Sequence, residues 1–296
     1  MKFHVCWTID CESCRKEIND VKLGWDAVAG FADILEKEGW AGTFFVMPEE
    51  IRPLANLLKR LVRSGHELGL HLHPDETGHP CGHLGAYSRE IQQEIVQAAL
   101  GTFEDCLGMR PASCRPGYAS ANDSTFPVLA ECGIRQTSAS MPGRRMTALV
   151  SNWAGAPLFA HYANPYNRLL TGGLNLVEIP ISVDWETMIW GGVHPQDLRV
   201  EYTDAKNHRF AIEKIMQRQV REDLPLKALV AFTHNLFRYC DAGNFRRETM
   251  IGMNQAIRHC ADELGIEVVG TTIANAAAAY RATVPFEQVG TDCANH

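Results

Sequence analysis

Several sequence features that would assign this 296-residue chain to a common class of binding protein are missing. No window approaches the roughly 18 uninterrupted apolar residues of a membrane-spanning helix, and the first residues lack the apolar segment of a secretory signal. A basic excess is also missing, because 28 Lys and Arg residues stand against 35 Asp and Glu residues. Binding to nucleic acid or to an anionic membrane surface generally requires such an excess. We therefore expect a cytoplasmic protein with no membrane span and no nucleic-acid partner.

Nucleotide-binding and repeat signatures are missing as well. Neither GxGxxG nor GxxxxGK[S/T] occurs, and the first predicted strand is followed by Asp-Cys-Glu-Ser at 10–13 rather than by a glycine-rich turn. The chain has no low-complexity stretch, no coiled-coil heptads and no internal repeat. Its composition, with 46% hydrophobic and 21% charged residues, is that of a folded globular chain.

Short apolar runs alternate with helical patterns along the chain. Strands are predicted at 3–9, 43–46, 66–73, 112–115, 134–137, 174–183, 227–233 and 267–269. Helices are predicted at 25–38, 50–63, 88–107, 122–133, 205–220 and 246–264. Repeated strand–helix units indicate a parallel sheet, either open or closed into a barrel. We favour the barrel, because the nucleotide-binding turn of an open sheet is missing and candidate functional residues lie at the ends of several strands.

Two pairs of potential metal ligands lie at predicted strand ends. Asp10 and Glu12 lie at the end of the first strand, and His71 and His73 lie at the end of the third. An i, i+2 spacing in an extended strand directs both side chains to one face. A single carboxylate or histidine at such a position is usually a cap or an ordinary core residue. Two pairs at the same end of neighbouring strands instead indicate a catalytic site for Zn²⁺, Fe²⁺ or Mn²⁺.

Other polar residues also follow predicted strands. Arg115 precedes a Pro-Gly turn, where a guanidinium can orient a carboxylate and keep it ionised. Asp184 and Trp185 follow an apolar run, and the indole could form the wall of a sugar pocket. His234 ends the run at 229–232, a position suited to a general acid. Each also has an ordinary interpretation, as a turn, a core aromatic residue or a strand cap.

The ten cysteines are predicted to be mostly reduced, buried residues. They are Cys6, Cys11, Cys14, Cys81, Cys106, Cys114, Cys132, Cys240, Cys260 and Cys293. Cys11 and Cys14 form the one CxxC of the sequence, which is compatible with redox chemistry or metal binding. Glu12 lies inside this CxxC, and no second CxxC completes a structural zinc site.

Taken in order, these motifs resemble the NodB-homology polysaccharide deacetylases, carbohydrate esterase family four. The resemblance extends from residue 3 to about residue 272 and indicates a divergent member. It rests on T-I-D-C-E at 8–12, G-T-F-F-V at 42–46, G-H-E-L-G-L-H-L-H at 65–73, R-P-G-Y at 115–118, D-W at 184–185 and F-T-H at 232–234.

The resemblance implies an α/β fold, a distorted (β/α)7 barrel, in a single domain spanning residues 1–296. It implies a metal-dependent hydrolase that removes acetyl groups from an N-acetylated sugar or polysaccharide precursor. Asp10 aligns with the catalytic base, Arg115 with the residue that orients it, and His234 with the general acid. The backbone N–H of Tyr118 aligns with a group that stabilises the oxyanion. His71 aligns with the first histidine ligand of a divalent metal ion, for which we expect Zn²⁺.

Trp185 matches the wall of the substrate pocket in that family. Asp184 is expected to pair with Arg115 or with His234.

The chain departs from the family pattern at two positions. Cys11 replaces the second aspartate of the usual T-F-D-D motif, so we infer that Glu12 supplies the carboxylate ligand. The second histidine of the usual motif lies four residues after the first, where this chain has Asp75. We prefer His73 as the ligand, with Asp75 and His79 as alternatives.

Other functions stay open on the sequence alone. A cytoplasmic enzyme would act on a lipid-linked or nucleotide-linked sugar during surface-polysaccharide biosynthesis. The same barrel could hydrolyse a non-sugar amide, or it could be a catalytically inactive, glycan-binding protein.

Overall fold

A mostly parallel, strongly curved sheet forms the centre of the molecule in the computed structural model, which describes residues 1–286. The strands are β1 (Lys2–Cys11), β2 (Gly42–Val46), β3 (Glu67–Leu72), β4 (Ser113–Pro116), β5 (Gln136–Thr137), β6 (Arg145–Met146), β7 (Ser151–Asn152), β8 (His161–Tyr162), β9 (Val177–Glu178), β10 (Val183–Ile189), β11 (His194–Asp197), β12 (Ala228–His234) and β13 (Glu267–Gly270). The central sheet has the order β12-β1-β2-β3-β4-β5-β9-β8, and β13 also pairs with β1.

Helices connect the parallel strands and cover the outside of the sheet. They are α1 (Val21–Lys37), α2 (Pro48–Arg63), α3 (Arg89–Leu107), α4 (Thr125–Glu131), α5 (Ala205–Arg221), α6 (Phe245–Leu264) and α7 (Ile273–Thr283). None of the helices within residues 1–286 is long and apolar enough to cross a membrane.

The apolar sequence of β1 explains why this strand lies in the middle of the sheet. Phe3, Val5, Trp7 and Ile9 are fully buried, and β1 pairs in parallel with β2, β12 and β13. A parallel strand that is covered on both faces requires such a continuous apolar run. The one acidic residue of β1 lies where the strand ends, and this places Asp10 at the carboxyl edge of the sheet.

The segment after β9 closes the sheet toward β12 into a barrel-like shape. The backbone N–H of Ser182 donates to the carbonyl oxygen of Val230 at 3.2 Å. Beyond the hairpin of β10 and β11, Arg199 forms a parallel bridge with Phe232. The chain therefore crosses the gap between the two sides of the sheet with irregular backbone rather than with a full strand.

Most predicted elements agree with the structure to within a few residues. The exception is the predicted strand at 174–183, because only Val177–Glu178 joins the central sheet there, and the apolar residues after Glu178 cross toward β12. The short strands β6, β7 and β8, the antiparallel hairpin of β10 and β11, and the helix α7 were not predicted.

Candidate active site

A cavity of about 350 Å³ lies at the carboxyl edge of the sheet, where β1, β3, β4 and β12 end. Seven of the sequence-predicted site residues line it. They are Asp10, Glu12, His71, His73, Arg115, Tyr118 and His234. The register of the sheet brings them together, because Asp10 is paired with His234 between β1 and β12, and His71 with Arg115 between β3 and β4.

Asp10 forms a buried ion pair with Arg115. The Nη1 atom of Arg115 donates to Oδ1 of Asp10 at 2.9 Å and to the hydroxyl of Thr8 at 2.7 Å. The other side of the guanidinium donates to the backbone carbonyl and the hydroxyl of Ser138, both at 2.9 Å. Burial would raise the pKa of Asp10, but the positive charge of Arg115 and of the nearby histidines holds it below its usual value. Asp10 is therefore an ionised carboxylate at neutral pH.

Glu12, His71 and His73 form a compact buried cluster beside Asp10. Their ligand atoms all lie within 4.8 Å of one another. The Oε2 atom of Glu12 is 2.9 Å from Nε2 of His73 and 3.8 Å from Nε2 of His71. Burial would raise the pKa of Glu12, but contacts with the two imidazoles hold it well below the usual range. The cluster thus presents one carboxylate and two ring nitrogens to a common point.

The surroundings of the two imidazoles fit a metal site. The Nδ1 atom of His71 lies 2.8 Å from the carbonyl oxygen of Arg115, which requires a proton on Nδ1 and leaves the Nε2 lone pair free. Both ring nitrogens of His73 are buried without a hydrogen-bond partner among the described residues, since the approach to Glu12 lacks hydrogen-bond geometry. Two histidines and a carboxylate are a common ligand set of catalytic zinc. The donor set therefore fits a divalent metal ion.

The turn after β4 packs closely against His73. Tyr118 has a φ angle of +58°, and its ring contacts the His73 ring edge-on at 4.7 Å between centroids. The Tyr118 hydroxyl accepts a hydrogen bond from Nη2 of Arg15 at 2.9 Å. A β-carbon added at Gly117 would overlap with the His73 ring. The R-P-G-Y segment thus holds the His73 ring from one side and brings its backbone to the cavity.

His234 is held by a residue that sequence reasoning missed. The Nδ1 atom of His234 lies 2.7 Å from Oε1 of Glu201, and its Nε2 lies 3.7 Å from Glu12. Burial would lower the pKa of His234, but the charge and hydrogen bond of Glu201 raise it above its usual value. Glu201 belongs to no motif and lies in the irregular segment after β11, so no sequence pattern indicated it. Asn235 was also missed, although it directly follows His234; its Oδ1 accepts the backbone N–H of Glu12 at 2.7 Å.

Asp184 and Trp185 lie outside this cavity, in contrast to the expectation from the sequence. Asp184 does not pair with Arg115 or His234; its Oδ2 accepts from Nζ of Lys214 at 2.9 Å. Trp185 is 53% exposed and lies against the guanidinium of Arg218. The reason is the early end of β9, after which the chain crosses to β12 and carries both residues into the β10–β11 hairpin.

The alternative ligands and the CxxC take other positions. Asp75 groups with Glu17 and Glu76 rather than with Glu12, and the His79 ring packs against Tyr87. Cys11 and Cys14 are free thiols, as are the seven other described cysteines, and Cys293 lies outside the described residues. Burial, together with Glu50, raises the pKa of Cys14 to about 12, so its thiol is protonated at neutral pH. Thiol–disulfide chemistry requires the thiolate, so this arrangement does not favour it.

Comparison with known proteins agrees with this fold. The family model for polysaccharide deacetylases matches residues 21–137. Chitin deacetylase 1 of Cryptococcus neoformans var. grubii is 26% identical over 146 residues, which make up 44% of this chain and 29% of that protein. The matched region thus spans less than a third of the length of that relative.

Solved structures share the fold over nearly the whole chain. A protein of Mycobacterium smegmatis assigned as a polysaccharide deacetylase is 17% identical, with a TM-score of 0.62 and coverage of 97% of this chain and 93% of the other. A protein of Parabacteroides distasonis assigned as a glycoside hydrolase/deacetylase is 12% identical, with a TM-score of 0.69 and coverage of 95% and 71%. The Puue allantoinase is 12% identical, with a TM-score of 0.64 and coverage of 96% and 92%.

These similarities confirm the resemblance of the chain to the NodB-type polysaccharide deacetylases. They also confirm the predicted fold class, an α/β fold with a barrel-like sheet.

Proposed function

We propose that the protein is a metal-dependent hydrolase that removes the acetyl group from an N-acetylated sugar or polysaccharide precursor. The observation that carries the proposal is that three groups of functional residues lie in one cavity. These are a carboxylate kept ionised by Arg115, a three-residue ligand cluster, and an imidazole bound by a carboxylate. Amide hydrolysis needs a base, an electrophile and an acid close to one another. The cavity supplies residues suited to the base, to the binding of an electrophilic metal ion and to the acid.

Glu12, His71 and His73 would hold the metal ion, which we propose is Zn²⁺. When bound, such an ion polarises a carbonyl group and acidifies a coordinated water molecule. The hydrogen bond from His71 to the Arg115 carbonyl supports this role, because it fixes the ring with Nε2 toward Glu12.

Asp10 would act as the general base and His234 as the general acid. Arg115 keeps Asp10 ionised and fixes one of its oxygens, so the carboxylate can accept a proton from the attacking water. Glu201 favours the protonated form of His234, as a donor to the leaving amine requires. The backbone N–H of Tyr118 would donate to the developing oxyanion, because the turn after β4 lines the same cavity.

The substrate class rests on the family resemblance. The walls of the cavity include Tyr118, Ile181, Leu236 and Phe237, and Trp185 is not among them. A sugar would therefore contact aromatic residues other than the one expected from the sequence.

The experiment is the release of acetate from N-acetylhexosamine substrates by the metal-loaded protein. We expect Asp10→Asn to lower kcat by at least ~100-fold, the usual scale for a lost general base, with near-stoichiometric metal retained. We expect His73→Gln to lose the metal, whereas His79→Gln, the matched control outside the ligand cluster, should retain it. An Asp10→Asn variant with normal kcat, or a wild-type protein that takes up no divalent ion, would overturn the scheme. Ring opening of cyclic amides without acetate release would instead favour a non-sugar amide hydrolase.

A further inference from the structure

The wall of the catalytic cavity contains two arginines that make no ion pair within 4.0 Å among the described residues. Arg144 directly precedes β6, and Arg199 follows β11. Both line the cavity that contains Asp10 and Glu12. A buried arginine is normally paired with a carboxylate. Arg144 is buried and Arg199 is half-buried, so their lack of ion pairs requires a physical explanation.

Arg144 is buried with only weak acceptors. It is 4% exposed, and its side chain donates to the sulfur atoms of Met141 at 2.8 Å and Met146 at 3.1 Å. Thioether sulfur is a poor acceptor compared with a carboxylate oxygen. Burial and the neighbouring Arg199 lower the pKa of Arg144 to about 10, so the side chain remains charged at neutral pH.

The guanidinium of Arg199 stacks on aromatic rings through its two faces, but not all of its N–H groups make hydrogen bonds. The group stacks over the ring of Tyr202 at 4.3 Å and the ring of Phe232 at 4.5 Å. Its Nε atom is buried without a hydrogen-bond partner among the described residues. The nearby carboxylate of Asp197 accepts the backbone N–H of Arg199 and a hydrogen bond from His194. Stacking therefore fixes the plane of the guanidinium and leaves N–H groups at its edge available to a ligand.

Arg115 provides the contrast within the same cavity. Its guanidinium makes four hydrogen bonds, to Asp10, Thr8 and Ser138, and its charge is paired with that of Asp10. Arg144 and Arg199 lack such partners. Two adjacent positive charges repel each other, and an anion placed between them would remove that repulsion and supply strong acceptors.

We propose that Arg144 and Arg199 bind an anionic group of the substrate, a phosphate or a carboxylate. The location indicates which half of the substrate carries the charge. Arg199 contacts Phe232, two residues before His234, and lies two residues before Glu201, which binds His234. This inference rests on the proposed function, in which His234 protonates the leaving amine. The preferred substrate is then an N-acetylated amino sugar that carries the anionic group on the sugar, the part of the substrate that leaves as the amine.

The test compares charged and neutral substrates of the metal-loaded enzyme. We use N-acetylglucosamine 1-phosphate, N-acetylmuramic acid and neutral N-acetylglucosamine, so that phosphate, carboxylate and no charge are distinguished. Wild-type enzyme should prefer one of the charged substrates by at least ~10-fold in kcat/KM. Arg199→Gln should lower kcat/KM for that substrate about 10- to 100-fold, mainly through KM, which is the usual scale for a lost hydrogen bond to a charged group. It should lower kcat/KM for the neutral substrate by a smaller factor than for the charged substrate.

Variants and controls separate charge from folding. Arg144→Met repeats the test at the buried position, and Arg144→Lys keeps the charge and should recover part of the preference. Arg52→Gln removes an exposed charge on α2 and should behave as wild type. If Arg144→Met does not fold, the half-buried Arg199 still decides the question.

A second readout does not depend on turnover. Inorganic phosphate should raise the Tm of the wild-type protein and of Arg52→Gln, but not of Arg199→Gln. Equal kcat/KM for charged and neutral substrates in all variants overturns the anion site and leaves the deacetylase proposal intact. No turnover of any N-acetylated substrate, together with an arginine-dependent phosphate shift, overturns the deacetylase proposal but supports the anion site.

Discussion

Glu201 accepts both the backbone N–H of His234 at 2.9 Å and a hydrogen bond from its Nδ1 at 2.7 Å. The same oxygen accepts the hydroxyl of Thr233 at 2.9 Å. One carboxylate therefore fixes the main chain at the end of β12 together with the orientation of the imidazole. We regard Glu201 as a positioning residue, because it acts through His234 rather than on the substrate.

Replacing Glu201 by Gln should lower kcat about 10- to 100-fold, the scale on which partners that orient a functional histidine usually act. The physical reason is that the amide lacks the negative charge that favours the imidazolium form. KM and bound metal should be nearly unchanged. Steady-state kinetics and metal analysis check this, and Glu201→Asp should recover part of kcat. A loss of metal with the loss of activity would mean that Glu201 is structural.

Gly117→Ala should weaken metal binding, because the added methyl group overlaps with the His73 ring. We expect a loss of about 10- to 100-fold in metal affinity, comparable to that for a disturbed outer-shell contact. Gly101→Ala is the matched control, since a β-carbon there meets no atom within 4 Å and α3 gains about 0.5–1 kcal/mol of stability. Competition with a chelating dye measures the affinity. Equal affinities in the two variants would show that His73 is not a ligand.

Arg115→Met should destabilise the fold by about 3–5 kcal/mol, since it leaves the buried carboxylate of Asp10 without its partner. Urea unfolding measures the loss. The double variant Arg115→Met/Asp10→Asn should be more stable than the single variant, because no charge is then left unpaired. If the double variant is the less stable of the two, the ion pair is not the cause of the loss.

Asp197→Asn should make stability less dependent on pH in the acid range. Burial would raise the pKa of Asp197, but His194 and Arg199 hold it below its usual value. In the unfolded protein this carboxyl has an ordinary pKa of about 3.9. As the pH falls, the unfolded protein therefore binds a proton at this group before the folded protein does. The stabilisation is present above pH ~4 and is lost below it, so the unfolding free energy of the wild type should fall more steeply from pH ~5 to ~3. Parallel urea titrations of both proteins check this; identical pH slopes would contradict it.

The sequence was most informative where a residue's neighbours are fixed by strand pairing. Asp10, His71, Arg115 and His234 each lie at or next to the carboxyl end of a predicted strand, and parallel pairing brings such ends to one edge of a sheet. A motif at a strand end therefore predicts proximity without any knowledge of loops. The roles of these residues, and the assignment of 1–296 to a single domain, stay predictions.

The sequence was least informative in the irregular segment between β9 and β12. Trp185 was expected in the substrate pocket because the apolar run before it resembles a strand, but the backbone leaves the sheet after Glu178. Glu201 and Arg199 reach the cavity from this same segment through a bridge to Phe232. Their positions depend on long-range packing, for which hydrophobic periodicity has no signal.

The placement of β1 bears on how the protein is made. Its partners come from both ends of the chain: β2 follows soon after, while β12 and β13 end at His234 and Gly270. During synthesis the strand that carries Asp10 stays half paired until the residues of β12 and β13 have left the ribosome. Such distant pairing makes folding slow and leaves an apolar edge exposed to aggregation meanwhile. Truncation before β12 should therefore disturb β1, more than 200 residues away in sequence, although β1 itself is left intact.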